Sequence, residues 1–131
     1  MVDIKNVFYT KWRIVAVVFT TIVVFITHLP PEVLPNQPQA SSLDKLQHVV
    51  AYGVITFLFI LSLRTSCSLL SASLLFIAVL TLGTIDELTQ PLFNRTASFT
   101  DLLADIIGFI TVLFFFILFQ KHKRSIHVNV S

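Results

Sequence analysis

The chain has 131 residues, of which 55% are hydrophobic and 12% charged, where an ordinary soluble domain is roughly 45–50% apolar. That balance excludes a typical globular fold, and the formal net charge of +2 gives no ground for a nucleic-acid partner.

Apolar stretches near the roughly 20 residues that cross a bilayer as helix recur four times, about residues 12–29, 43–63, 69–89 and 101–119. They fill most of the chain and leave no room for a soluble domain. Runs such as IVAVVFTTIVVFI and IIGFITVLFFFILF lack the strict alternation of a barrel strand. Backbone satisfaction in lipid then leaves helices.

In the first span, Trp12 to Leu29, the apolar run IVAVVFTTIVVFI follows Lys5, Lys11 and Arg13 and competes with a signal-peptide reading. It is longer than a usual signal core, and Thr27, His28, Leu29 and two prolines stand where a small-x-small cleavage site would, which favours a retained anchor. Pro30 to Ser42 holds four of the five prolines and reads as a stiff, extended connection.

The second span opens on Asp44, Lys45, His48 and Tyr52. Asp44, His48 and Tyr52 are spaced i, i+4, i+8 and share one helix face, a polar stripe leading inward. The third span ends in Asp86, Glu87 and Gln90 before Pro91, with Asn94 and Arg95 in the turn. Acids near a helix C-terminus oppose its dipole and call for a cationic partner such as Lys45 or Arg95. The short connection from Pro91 to Thr100 makes spans three and four antiparallel neighbours. The fourth span carries Asp101 and Asp105, again four apart, then Gly108, where a neighbouring helix can come close.

Ser41 with Asp44, and Ser98 with Asp101, each fit an N-cap serine followed by an acid at the third helical position. Capping accounts for Asp44 and Asp101 but not for His48, Asp86, Glu87, Arg95 or Asp105. Cys67 is single and excludes an internal disulfide. His28 reads as an interfacial histidine, and Tyr9 and Trp12 as an aromatic belt.

Charge gives an orientation. Lys5, Lys11, Arg13, Arg64, Lys121, Lys123 and Arg124 flank one side with Asp3 the only acid, while Lys45 and Arg95 share the other side with the remaining six acids. Lysine and arginine favour the cytoplasm. The expectation is an all-α, integral membrane four-helix bundle, a single domain over residues 1–131, with both termini cytoplasmic.

The stretch DKLQHVVAYGVITFLF and the later TIDELTQPLFNRTASFTDLLADIIG together resemble the motifs of the VanZ-like family of small bacterial membrane proteins. The matching positions are Asp44, Lys45, His48 and Tyr52, then Asp86, Glu87 and Gln90, then Arg95 and Ser98, then Asp101, Asp105 and Gly108. Asp105 stands where many members carry Asn, which adds a carboxylate. The resemblance covers about residues 12 to 120 and implies a multi-pass protein of the bacterial cytoplasmic membrane with a link to resistance against the glycopeptide teicoplanin.

The functional expectation is an extracytoplasmic polar site for an anionic lipid, a lipid-linked cell-wall precursor or the glycopeptide. Lys45, His48 and Arg95 can hold a phosphate. His48, Glu87 and Asp105 are the candidate acid-base residues, with Asp44, Lys45, Tyr52, Asp86, Gln90, Arg95, Ser98 and Asp101 as binding residues. Asp86, Glu87 and Asp105 can alternatively hold a hard cation such as Mg²⁺; no cofactor or metal is specified by a motif. Tyr52, Phe93 and Phe99 can border acyl chains. The competing reading is non-enzymatic: the polar residues fix helix packing, and the bundle binds a drug, a lipid or a partner protein. A proton path is disfavoured because the inner halves of spans two and four are almost wholly apolar.

Overall fold

In a computed structural model of the chain, residues 4–30, 33, 42–63 and 68–129 are described. They form four helices and no strand: α1 (Ile4–Thr27), α2 (Ser42–Ser62), α3 (Leu69–Thr89) and α4 (Phe99–Asn129). All four contain segments long and apolar enough to cross a membrane. The first and last helices outrun their apolar stretches. Neither flank contains Gly or Pro, and Lys, Arg and Gln are good helix formers, so backbone bonding continues past the apolar boundary.

Local chemistry sets several of the ends. His28 N–H still bonds to the Val24 carbonyl at 3.2 Å and Leu29 N–H to Ile26 at 3.1 Å, after which Pro30 and Pro31 cannot continue α1. Ser68 caps α3 through a reciprocal capping box with Ser71, satisfying donors that a helix start leaves open. After α3, a 3-10 turn spans Gln90–Phe93 with Pro91 in its first positions, and Asn94 closes it at φ 59°, the left-handed region that asparagine tolerates better than most residues. Hydroxyls within the helices fold back onto carbonyls, as Thr56 does onto Tyr52 at 2.7 Å and Thr84 onto Leu80 at 2.8 Å. Such bonds leave the hydroxyls satisfied where water is absent.

Helices α2 and α4 form the central pair, with α1 packed on α2 and α3 on α4. The central seam rests on Gly53 and Gly108. A Cβ on Gly108 would run into the Val49 carbonyl and lie 2.9 Å from Gly53 N, so only glycine permits this approach. The buried core of Tyr52, Ile55, Ile60, Leu75, Val79 and Phe109 is flanked by Phe19, Val23, Phe76 and Leu113. Outside it, Ile14, Val17, Val18 and Phe25 on α1 and Phe114, Phe115 and Phe119 on α4 are exposed. Apolar surface on this scale needs lipid or another partner to cover it.

Because successive helices run in opposite directions, the C-terminal ends of α1 and α3 meet the N-terminal ends of α2 and α4. The polar residues concentrate at that end.

Candidate functional site

Asp44, His48, Asp86, Glu87, Gln90, Asp101 and Asp105 are all buried. Buried carboxylates need partners, and the partners fall into two groups.

The first group joins α1 to α3. Thr27 donates its hydroxyl to Asp86 Oδ1 at 2.7 Å, and His28 Nδ1 lies 3.3 Å from the same oxygen. His28 Nδ1 also sits 2.7 Å from the Val24 carbonyl, which can only accept, so that nitrogen carries a proton. Its Nε2 meets the Thr89 hydroxyl at 2.7 Å, and its ring packs edge-on against Phe93. Arg95 reaches back across the same end to the Leu29 carbonyl at 3.4 Å.

The second group joins α2, α3 and α4. His48 Nδ1 donates to Asp105 Oδ1 at 2.8 Å, with both side chains almost wholly enclosed. Asp105 fits there because α3 offers Gly83, where a Cβ would stand 2.7 Å from Asp105 Oδ2. Lys45 contacts Asp101 Oδ1 at 3.3 Å from a position about one-third exposed. Glu87 accepts the backbone N–H of Ser98 at 2.6 Å and a bond from Gln90 Nε2 at 3.3 Å. The Tyr52 ring stacks at 14° on that of His48. The Tyr52 hydroxyl, Asp86 Oδ2 and Asp105 Oδ2 are buried with no hydrogen-bond partner among the described residues.

These contacts correct two expectations. Arg95 acts on Asp86 through its charge without touching it, Lys45 bonds neither Asp86 nor Glu87, and Thr27 and His28 make the direct contacts to Asp86. Glu87, at the end of α3, lies against the start of α4, whose free N–H groups and positive dipole end replace a cation. Ser98 does not form the anticipated box with Asp101. Its N–H goes to Glu87 and its hydroxyl bonds Thr100 at 2.8 Å, while Asp101 turns to Lys45. The paired motif involving Ser41 lies outside the described residues, as do Glu32, Arg64 and Cys67.

A cavity of about 240 Å³ opens beside the second group between α1 and α2, lined by Val23, Ile26, Thr27, Asp44, Gln47, His48, Ala51, Tyr52 and Arg95. Its polar residues lie toward the helix ends and its apolar ones deeper. A groove lined by Phe19, Leu43, Leu46, Val50 and Val54 shares Gln47 and Ala51 with it. Of the candidate site residues, Asp44, His48, Tyr52 and Arg95 therefore face the cavity, whereas Lys45, expected to hold a phosphate, and Asp86, Glu87, Gln90, Ser98, Asp101 and Asp105 do not line it.

Thr27, His28, Gln47 and Thr89 were not among the candidates. A depth argument finds the first two: the end of α1 lies level with the starts of α2 and α4, so any polar side chain there joins the same layer. Gln47 adjoins His48 in sequence and faces the α1 groove instead of the core.

Comparison with models of known protein families, with curated proteins and with solved structures finds no match for this chain.

Proposed function

We propose that this chain is a VanZ-like, multi-pass protein of the bacterial cytoplasmic membrane, with both termini inside and a site on the outer face. The site binds the phosphate-bearing headgroup of an anionic lipid or lipid-linked envelope component. The cavity between α1 and α2 carries this reading, because it combines the Arg95 guanidinium and several hydrogen-bonding side chains with an apolar continuation.

Arg95 supplies a planar fork suited to phosphate oxygens. Asp44 and Gln47 accept hydrogen bonds from sugar hydroxyls or an ammonium beside the phosphate. At about 240 Å³ the cavity is smaller than the roughly 300–1,000 Å³ of drug-sized sites. It takes a headgroup, and the acyl chain runs along Leu46, Val50 and Val54 at the α1 and α2 boundary. The distribution of lysine and arginine supports the orientation, and the teicoplanin association follows from the family resemblance.

Glu87 and Asp105 do not line the cavity, which favours binding over acid-base catalysis by those two residues. The pairing of His48 with Asp105 and of Lys45 with Asp101 supports the second reading in part: those contacts also fasten the bundle.

The test is lipid binding to the purified full chain, by native mass spectrometry with phosphatidylglycerol against phosphatidylcholine. Arg95→Ala is expected to cut the preference for phosphatidylglycerol at least tenfold while helix content and elution volume stay unchanged. A wild-type chain without preference, or an unaffected variant, would remove the assignment. In a host whose teicoplanin tolerance depends on the wild-type chain, the same variant is expected to abolish tolerance at normal protein levels.

A further inference from the structure

Three of the buried polar residues come from three different helices and converge. His48 of α2, Glu87 of α3 and Asp101 of α4 each offer a donor atom, all within 4.8 Å of one another. We propose that these residues form a binding site for one divalent transition-metal ion of the Zn²⁺ or Mn²⁺ type.

Two ligands at about 2.0–2.2 Å from a shared ion are at most about 4.4 Å apart. Only opposed ligands reach that span; in the tetrahedral arrangement zinc prefers, neighbouring ligands stand about 3.3–3.6 Å apart, so the set has to close by up to about 1.2–1.5 Å. One imidazole and two carboxylates is a mixed donor set: nitrogen favours a transition metal, whereas Mg²⁺ and Ca²⁺ prefer oxygen alone.

The surroundings supply what such a site requires behind its ligands. Asp105 holds His48 Nδ1 at 2.8 Å, which fixes the ring and leaves Nε2 as the nitrogen to bind metal. A carboxylate behind a histidine is the usual support for a ligating imidazole. Glu87 is oriented by Ser98 N–H and Gln90. Two residues that contact His48 carry a buried polar atom with no hydrogen-bond partner among the described residues: Asp105 at Oδ2, on a residue 1% exposed, and Tyr52 at its hydroxyl, on a ring stacked on His48. Lys45 meets Asp101 Oδ1 at 3.3 Å from a partly exposed position, so it can turn to water as an ion enters. The same His48 lines the cavity, and an ion bound here borders it.

A cation can bind here whether or not the cavity takes a lipid, so the two assignments fail separately. The experiment is a Co²⁺ titration of the purified, EDTA-stripped full chain in detergent, followed by its visible absorption and by Zn²⁺ displacement. One Co²⁺ per chain is expected, lost at least a hundredfold in Glu87→Gln and in Asp101→Asn. Asp105→Asn is expected to weaken it about 10–100-fold. Asp86→Asn removes an equally buried acid from the same end and is expected to stay within twofold of wild type. Sub-stoichiometric binding, or an Asp86→Asn loss matching that of Asp101→Asn, overturns the site in favour of diffuse attraction by the acidic end. If the ligand variants fail to accumulate, the wild-type chain decides alone: Zn²⁺ is expected to raise its unfolding temperature above that of the EDTA-treated protein, and no shift overturns the proposal.

Discussion

Asp86 and Glu87 are neighbours in sequence, both carboxylates and both buried, yet they serve different halves of the polar end. Asp86 turns to α1 and is enclosed by Thr27 and His28, a clasp that meets the cavity only through Thr27. Glu87 turns to α4, where it joins His48, Asp101 and Asp105 beside the cavity. The clasp ties two flanking helices together by neutral and charge-assisted hydrogen bonds. The cluster sits on the central pair and gathers donors from three helices, whereas each half keeps one buried carboxylate oxygen, on Asp86 and on Asp105, without a hydrogen-bond partner among the described residues. The difference teaches that position on the helix circumference, and not residue type or depth, separates a fastening from a candidate site.

The largest effect that can break this comparison lies in the cluster. Asp105→Ala leaves His48 buried without its partner, and removing one member of a buried pair costs about 3–5 kcal/mol. Denaturant unfolding of the purified bundle is expected to show a loss of that size, and a change near zero would mean that His48 turns to another partner. Next comes the seam that brings the cluster together. A methyl group added by Gly108→Ala meets the Val49 carbonyl and the Gly53 nitrogen, backbone atoms that cannot rotate away, and overpacking of this kind costs about 1–3 kcal/mol. The same unfolding assay measures it, and full tolerance would show that α2 and α4 separate easily. The smallest effect belongs to the clasp. Thr89→Val removes the hydroxyl against His28 Nε2, and single polar contacts between membrane helices average about 0.6 kcal/mol, reaching about 1.7. A loss as large as that of Asp105→Ala would erase the distinction between the two halves.

Much of the fold is legible in the sequence, because four apolar runs admit only helices and the short Pro91 to Thr100 connection pairs α3 with α4. The i, i+4 spacing correctly places Asp44, His48 and Tyr52 on one face, which now lines the cavity. What the sequence does not reveal is the order in which helices pack. Hydropathy gives each helix an apolar surface but not its neighbour, so the direction in which Asp86 and Glu87 diverge is invisible. The dipole argument rightly requires a positive partner for Glu87. It overlooks that another helix's N-terminus can supply one. His28 was read as interfacial because its partners, Asp86 and Thr89, lie about sixty residues away. Arg95 illustrates the reverse: its role as a cation was clear, but its contact with the Leu29 carbonyl, which holds it over the cavity, depends on where α1 ends.

The central claim is that the cavity beside the cluster binds a phosphate headgroup while the clasp only holds helices. The most direct measurement compares Arg95→Ala and Thr89→Val in one titration of the purified chain with phosphatidylglycerol and phosphatidylcholine. Arg95→Ala is predicted to lose the phosphatidylglycerol preference at least tenfold, and Thr89→Val to keep it within twofold despite reduced stability. Equal losses in the two variants, or no loss in either, would contradict the account.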